Sequence, residues 1–136
     1  MAKTSTKGYQ RQKMENYLPM KIAITGAATI AADQITSCDD VPMGRLSDEK
    51  RTLIATLRQS NPAYEFLDPT VLYALFTAKE AVRQADWSGQ RFGVNIGSSR
   101  GATELFESHY AHFLSEGYCK TLASPTTTLG NVSTWV

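Results

Sequence analysis

The stretch DPTVLYALFTAKEAVRQADW, residues 68–87, limits what this chain can fold into more than any other. Asp68 is a good N-cap and Pro69 suits the first helical position, where no amide hydrogen is needed. Val71, Leu72, Leu75, Ala78, Val82 and Ala85 then recur mostly at three- and four-residue steps, so the spacing predicts a helix with one apolar face. Ala74, Ala78, Ala81 and Ala85 keep part of that surface small, which suits close packing inside a large protein. Ser88-Gly89 closes the helix, and FGVNIG (92–97) follows as a short apolar run ending in glycine, the pattern of a buried strand.

A similar run, KIAITGAATI (21–30), lies upstream and also reaches a glycine, Gly26. Two buried strands joined by a long helical crossover favour parallel pairing, so 21–27 and 92–97 are expected side by side in one sheet. Between them, DQITSCDDVPMGRL (33–46) holds turn formers, a proline and a glycine, and reads as a loop. Ser47 caps a helix, SDEKRTLIATLRQ, with Asp48 and Glu49 in its first turn, Leu53, Ile54 and Leu57 on one face, and Asn61-Pro62 at its end. Residues 103–116 predict a helix with Leu105, Phe106, Tyr110, Phe113 and Leu114 inward and Gly117 as its C-cap. Asn131 to Val136 reads as the opening of an apolar helix. The expectation is an α/β layout that stops before completion, leaving Trp135, Val136 and the alanine face of 71–85 uncovered and prone to self-association.

Charge separates the first residues from the rest. Residues 1–19 carry Lys3, Lys7, Arg11 and Lys13 against Glu15, a net +3, and the remainder carries −2. This leader has no apolar periodicity and no apolar core for a signal peptide; it reads as a solvated, poorly ordered segment, with a basic arm, a weak presequence or a start upstream of Met20 as alternatives. A total of +1 argues against an electrostatic nucleic-acid binder. No stretch reaches the roughly 18 apolar residues of a membrane span. Cys38 and Cys119 are too few for a disulfide framework, which makes a reducing cytoplasm the default setting.

Motifs that carry chemistry on their own are missing: no GxGxxG, Walker A, HExxH or GxSxG sequence occurs. Gly97-Ser98-Ser99-Arg100-Gly101 is a small-residue loop between a strand and a helix, able to approach an anionic or acyl ligand, although a plain connecting turn has the same composition. His109 and His112 lie three apart near Glu104 and Glu107, but no third metal ligand is evident, and a polar helix face accounts for them. Cys38 stands beside Asp39 and Asp40, which disfavour a thiolate, and Cys119 has Lys120 alone to activate it. Asn131-Val132-Ser133 matches a glycosylation sequon, yet nothing marks the chain as secreted.

Three segments together resemble the N-terminal part of β-ketoacyl-acyl-carrier-protein synthases, the condensing enzymes of the thiolase fold. KIAITGAATI is similar to their opening strand. LDPTVLYALFTAKEAVRQADW with FGVNIGSSRGATE resembles their Asp-led, alanine-rich helix and the Gly-Ser loop after it. SPTTTLGNVSTWV resembles the Ser-Pro…Asn-Val-Ser segment that precedes the strand bearing the catalytic cysteine. The likeness spans about residues 20–136 and implies the incomplete N-terminal half of a thiolase-like α/β fold, with a mostly parallel sheet flanked by helices.

In that family an acyl-pocket gate, commonly aliphatic, falls where Arg100 stands, and the loop lining the acyl channel matches Thr126, Thr127 and Thr128. A guanidinium at that gate needs a partner, and Glu104 is the nearest carboxylate one helical turn on. The nucleophilic cysteine and the two histidines come later than the last matched segment, and neither Cys38 nor Cys119, His109 nor His112 stands in their context. The resemblance therefore implies no catalytic residue and no cofactor or metal in this chain. It implies a parent that condenses an acyl thioester with malonyl-carrier protein, with acyl carrier protein as partner and a homodimer or ketosynthase-like heterodimer as assembly. A non-catalytic, chain-length-factor-like or degenerate half-domain is the alternative. Arg100 and the three threonines favour a short, polar, aromatic or polyunsaturated acyl group over a long saturated one, with Arg100 pointing to solvent from a surface turn as the alternative.

Overall fold

The computed structural model describes residues 23–89, 91, 93–128 and 130–136. Residues 1–19, read as a basic leader, lie outside the described residues. The elements are strands β1 (Gln34–Cys38) and β2 (Val41–Arg45), then helices α1 (Asp48–Gln59), α2 (Pro69–Gln84), α3 (Thr103–Glu116), α4 (Ala123–Thr127) and α5 (Asn131–Trp135), with a 3₁₀ turn at Pro62–Tyr64.

The helices begin and end for the reasons their sequences give. Ser47 Oγ accepts the Lys50 amide at 3.4 Å, and Asp48 and Glu49 occupy the first turn of α1. Asn61 Oδ1 accepts the Ala63 amide at 2.9 Å and starts the 3₁₀ turn. Asp68 Oδ1 accepts the Thr70 amide at 2.8 Å, with Pro69 in the first turn of α2. Gly117 ends α3 at φ 75°, a left-handed conformation that costs a side-chain-bearing residue about 1 kcal/mol or more.

The core is small. Ile54 of α1, Leu67, Val71 and Leu72 of α2, and Val132 of α5 form its buried centre, with Tyr64, Phe76, Ile30, Ile96 and Trp135 packed around it. Trp135 meets Tyr64 edge-on at 6.0 Å between ring centroids, and Lys79 Nζ lies 5.3 Å from the centroid of Tyr64. The final helix thus finds cover within the chain: Trp135 and Val136 are half-buried, as are Ala74, Ala78, Ala81 and Ala85.

The expected sheet is not formed. Among the described residues the one sheet is an antiparallel pair, β1 with β2, and the rest is mostly helical. This is not a mostly parallel, thiolase-like α/β arrangement. The described parts of both predicted strands, 23–27 and 93–97, carry no ladder. They lie instead along the small-residue face of α2. A Cβ on Gly26 would stand 2.2 Å from the Ala81 carbonyl oxygen, and the Ala27 amide donates to Gln84 Oε1 at 3.3 Å. A crevice of about 370 Å³ separates Ala28 from Val94 and Ile96 over Ala74, Ala78 and Ala81. Within 23–27 and 93–97 only Gly26 and Ile96 are half-buried, and a parallel pair without a third strand would add little.

The strands form where a loop was expected. Cys38 pairs with Val41, Thr36 with Met43 and Gln34 with Arg45 across a two-residue turn whose Asp39 and Asp40 have φ 48° and 63°. Positive φ at both central residues is the turn that matches strand twist, and Asp tolerates it better than most residues. Asp33 then anchors the hairpin to α1: Oδ2 accepts the Ser47 amide at 2.9 Å and Oδ1 takes Lys50 Nζ at 2.5 Å. These contacts hold its carboxyl down from 3.8 to about 2, the Lys50 hydrogen bond first and the Ser47 amide second.

Candidate ligand cleft on the third helix

Helix α3 departs from its expected burial. Phe106, Tyr110, Phe113 and Leu114 are exposed at 59%, 54%, 44% and 66%, and α3 contributes no buried residue. The three aromatics, spaced four and three residues apart, make an apolar ledge instead of a core face. Phe106 and Tyr110 stack with ring planes 3° apart and centroids 6.5 Å apart.

Helix α4 runs beside this ledge. Together they enclose a cleft of about 370 Å³, walled by Phe106, Tyr110 and Phe113 on one side and by Ala123 and Thr127 on the other, with Cys119 also lining it. A second cleft of about 580 Å³ continues past His109, Lys120 and Thr121 toward Arg58, Glu104 and Leu105, and Thr126 lines it. His109, Lys120 and Thr121 line both and mark their junction. The composite site is apolar at one end and carries two cations and two carboxylates, Glu65 and Glu104, at the other. Such a gradient suits an elongated amphiphile.

Side chains around the junction are held in place. Thr126 Oγ1 donates to the Leu122 carbonyl at 2.5 Å and lies 3.4 Å from His109 Nε2. With that proton committed to the backbone, the Thr126 oxygen can only accept from the imidazole, so the pair is not a base activating a nucleophile. Arg58 donates to the Glu65 and Leu67 carbonyls at 2.6 and 3.0 Å, bracing the wall of the second cleft. Asn131 Nδ2 donates to the Pro125 carbonyl at 2.7 Å and fixes α4 against α5. That asparagine, the one in the sequon, is 7% exposed.

Of the residues singled out in the sequence, Thr126 and Thr127 come to the clefts on α3. Thr128 is exposed just past α4. Arg100 is exposed in the loop before α3, lines neither cleft, and makes no ion pair with Glu104. The histidines diverge: His109 faces Thr126, whereas His112 packs edge-on against Tyr118 at 5.0 Å. Among the described residues no group of three His, Cys, Asp or Glu side chains could hold a metal ion. None of the described helices is long and apolar enough to cross a membrane.

Compared with protein-family models, curated proteins and solved structures, the chain matches none.

Sequence reasoning weighs His109 only as a metal ligand and Lys120 only as a neighbour of Cys119, and takes the aromatic ledge for a core face. The 106/110/113 spacing was visible, but the same spacing describes a core face. Only the placement of α4 beside it distinguishes the two.

Proposed function

We propose that this chain supplies an acyl-binding surface of a β-ketoacyl-acyl-carrier-protein synthase-like protein of fatty-acid, polyketide or polyene synthesis. Its partner would be acyl carrier protein, its compartment the cytoplasm, and its assembly a homodimer or a ketosynthase-like heterodimer. The resemblance of the Asp68 helix, the Gly97–Gly101 loop and the Ser124–Val136 segment supports this reading. The observation that carries it is the apolar cleft between α3 and α4, where Thr127 meets an aromatic wall, with Thr126 in the second cleft that continues from it.

Condensation needs a thiolate to accept the acyl chain, then decarboxylation of malonyl to a carbanion that attacks the thioester. Groups that stabilise the enolate and the oxyanion complete it. This chain has no cysteine or histidine in the matching contexts, so its part is to bind and orient. The aromatic ledge would take the acyl tail, while His109 and Lys120 would meet the polar end. A chain-length-factor-like subunit, which shapes a pocket without chemistry, is the alternative.

The test is a titration of the chain with a polyene fatty-acyl pantetheine probe. Thr127→Trp, which fills the cleft, is expected to weaken binding at least tenfold. Arg100→Ile, outside the cleft, is expected to leave it unchanged. Equal affinity for wild type and Thr127→Trp would remove the acyl reading.

A further inference from the structure

The hairpin carries a second, independent feature. Among the described residues, no element other than its own partner strand packs extensively on β1 or β2, and every residue of both strands is exposed. Cys38 and Val41 flank a two-residue turn and so form a hydrogen-bonded pair. The alternation then turns the amide and carbonyl of Ile35 and Ser37 outward on β1, and the Gly44 amide with the Pro42 and Gly44 carbonyls outward on β2. The two edges differ. Pro42 has no amide hydrogen to offer a further strand, and Arg45 adds a charge. Strand β1, QITSC, has neither proline nor charge, and Ile35 is 81% exposed on it. Among the described residues no outside backbone group bonds to Ile35 or Ser37.

We infer that β1 is a docking edge for a second copy of this chain, paired antiparallel through β1 about a two-fold axis at Thr36. The strand complements itself in that register: Ile35 of each copy faces Ser37 of the other, and each pair exchanges amide-to-carbonyl bonds. A shift that centred the axis on Ile35 would need the Asp33 amide, which already donates to the Arg45 carbonyl at 2.9 Å. Centring it on Thr36 sets Asp39 of the second copy opposite Asp33, whose carboxylate is paired with Lys50. The cation offsets the repulsion two bare carboxylates would bring. The arrangement is isologous and closes, whereas pairing through β2 would be blocked at Pro42.

At the axis the two Thr36 residues form a non-hydrogen-bonded pair, with Cα atoms about 4.5 Å apart. That is within disulfide reach. In a Cys38→Ser, Cys119→Ser background, Thr36→Cys is expected to give a disulfide-linked dimer under mild oxidation, and adding Ser37→Pro is expected to reduce its yield at least fivefold. Gln34→Cys in the same background is expected to cross-link far less. Amide exchange separates the remaining cases. Protection of the Ile35 and Ser37 amides is expected to rise with protein concentration over about a hundredfold range, while the Thr36 amide stays protected throughout. Protection of Ile35 and Ser37 at every concentration would assign the edge to this chain's own residues 1–22. No protection at any concentration, or equal cross-linking at Gln34 and Thr36, would leave the edge bare. Either result overturns the inference.

Discussion

The amide of Leu105 donates to Oδ2 of Asp68 at 3.1 Å, while the other oxygen of the same carboxylate caps α2 through Thr70. One buried side chain, 2% exposed, therefore holds the N-terminal ends of α2 and α3 together. This places the aromatic ledge relative to the core, because α3 buries none of its own side chains. Asp68→Ala removes a cap worth about 1 kcal/mol and strands a part-buried amide at about 1–3 kcal/mol. The expected loss is about 2–4 kcal/mol in urea denaturation, with Asp68→Asn losing less. A loss below about 1 kcal/mol would mean the bond to Leu105 contributes nothing.

Gly26 tests the packing of the first apolar run. Its added Cβ would strike the backbone oxygen of Ala81, and the backbone of a helix cannot rotate away as a side chain can. Gly26→Ala is expected to cost about 1–3 kcal/mol. Gly97→Ala, with nothing within 4 Å of the new atom, is expected to change stability by less than about 0.5 kcal/mol. Equal effects at the two positions would place the first run away from α2.

Asp33 gives the hairpin a pH dependence of known sign. Its carboxyl is depressed in the folded chain, so its contribution is full above pH 3.8 and is lost as pH falls through about 2. Chemical shifts of Ser47 and Lys50 are expected to report detachment of the hairpin across that window. In Asp33→Asn the midpoint should vanish. Glu80, held down to about 2 by Arg83 and then Gln84, titrates in the same range but sits on α2, so the hairpin signals distinguish them.

The helices were legible in the sequence because their signals are local. Ser47, Asp68-Pro69 and Gly117 each act within one turn, and each performs the expected role. The strands were not legible, for opposite reasons. The runs at 21–30 and 92–97 have strand composition, but whether an apolar run pairs or lies on a helix depends on partners distant in sequence. The hairpin at 34–45 rests on a turn made by two aspartates, a weaker sign than Asn-Gly, and has no buried face to impose alternation. Of the site, the resemblance pointed to Thr126 and Thr127, and both line clefts on α3. The ledge was misread because Phe106, Tyr110 and Phe113 have core spacing without core burial.

Core packing itself is expected to be concentrated at the start of α2. Leu72 is fully buried, so Leu72→Ala is expected to cost about 2–5 kcal/mol by thermal or urea denaturation. Leu53, 46% exposed on α1, is expected to cost under about 1 kcal/mol on the same change. Similar losses at both would shift the core toward α1.

The claim that the cleft on α3 receives an acyl chain is tested most directly by intermolecular NOEs in a complex with a methyl-terminated polyene acyl pantetheine. The terminal methyl is expected to show NOEs to the rings of Phe106, Tyr110 or Phe113, with the pantetheine end shifting Lys120 and His109. NOEs confined to the crevice beside Ala74 and Ala78, or none to the three rings at saturating ligand, would contradict it.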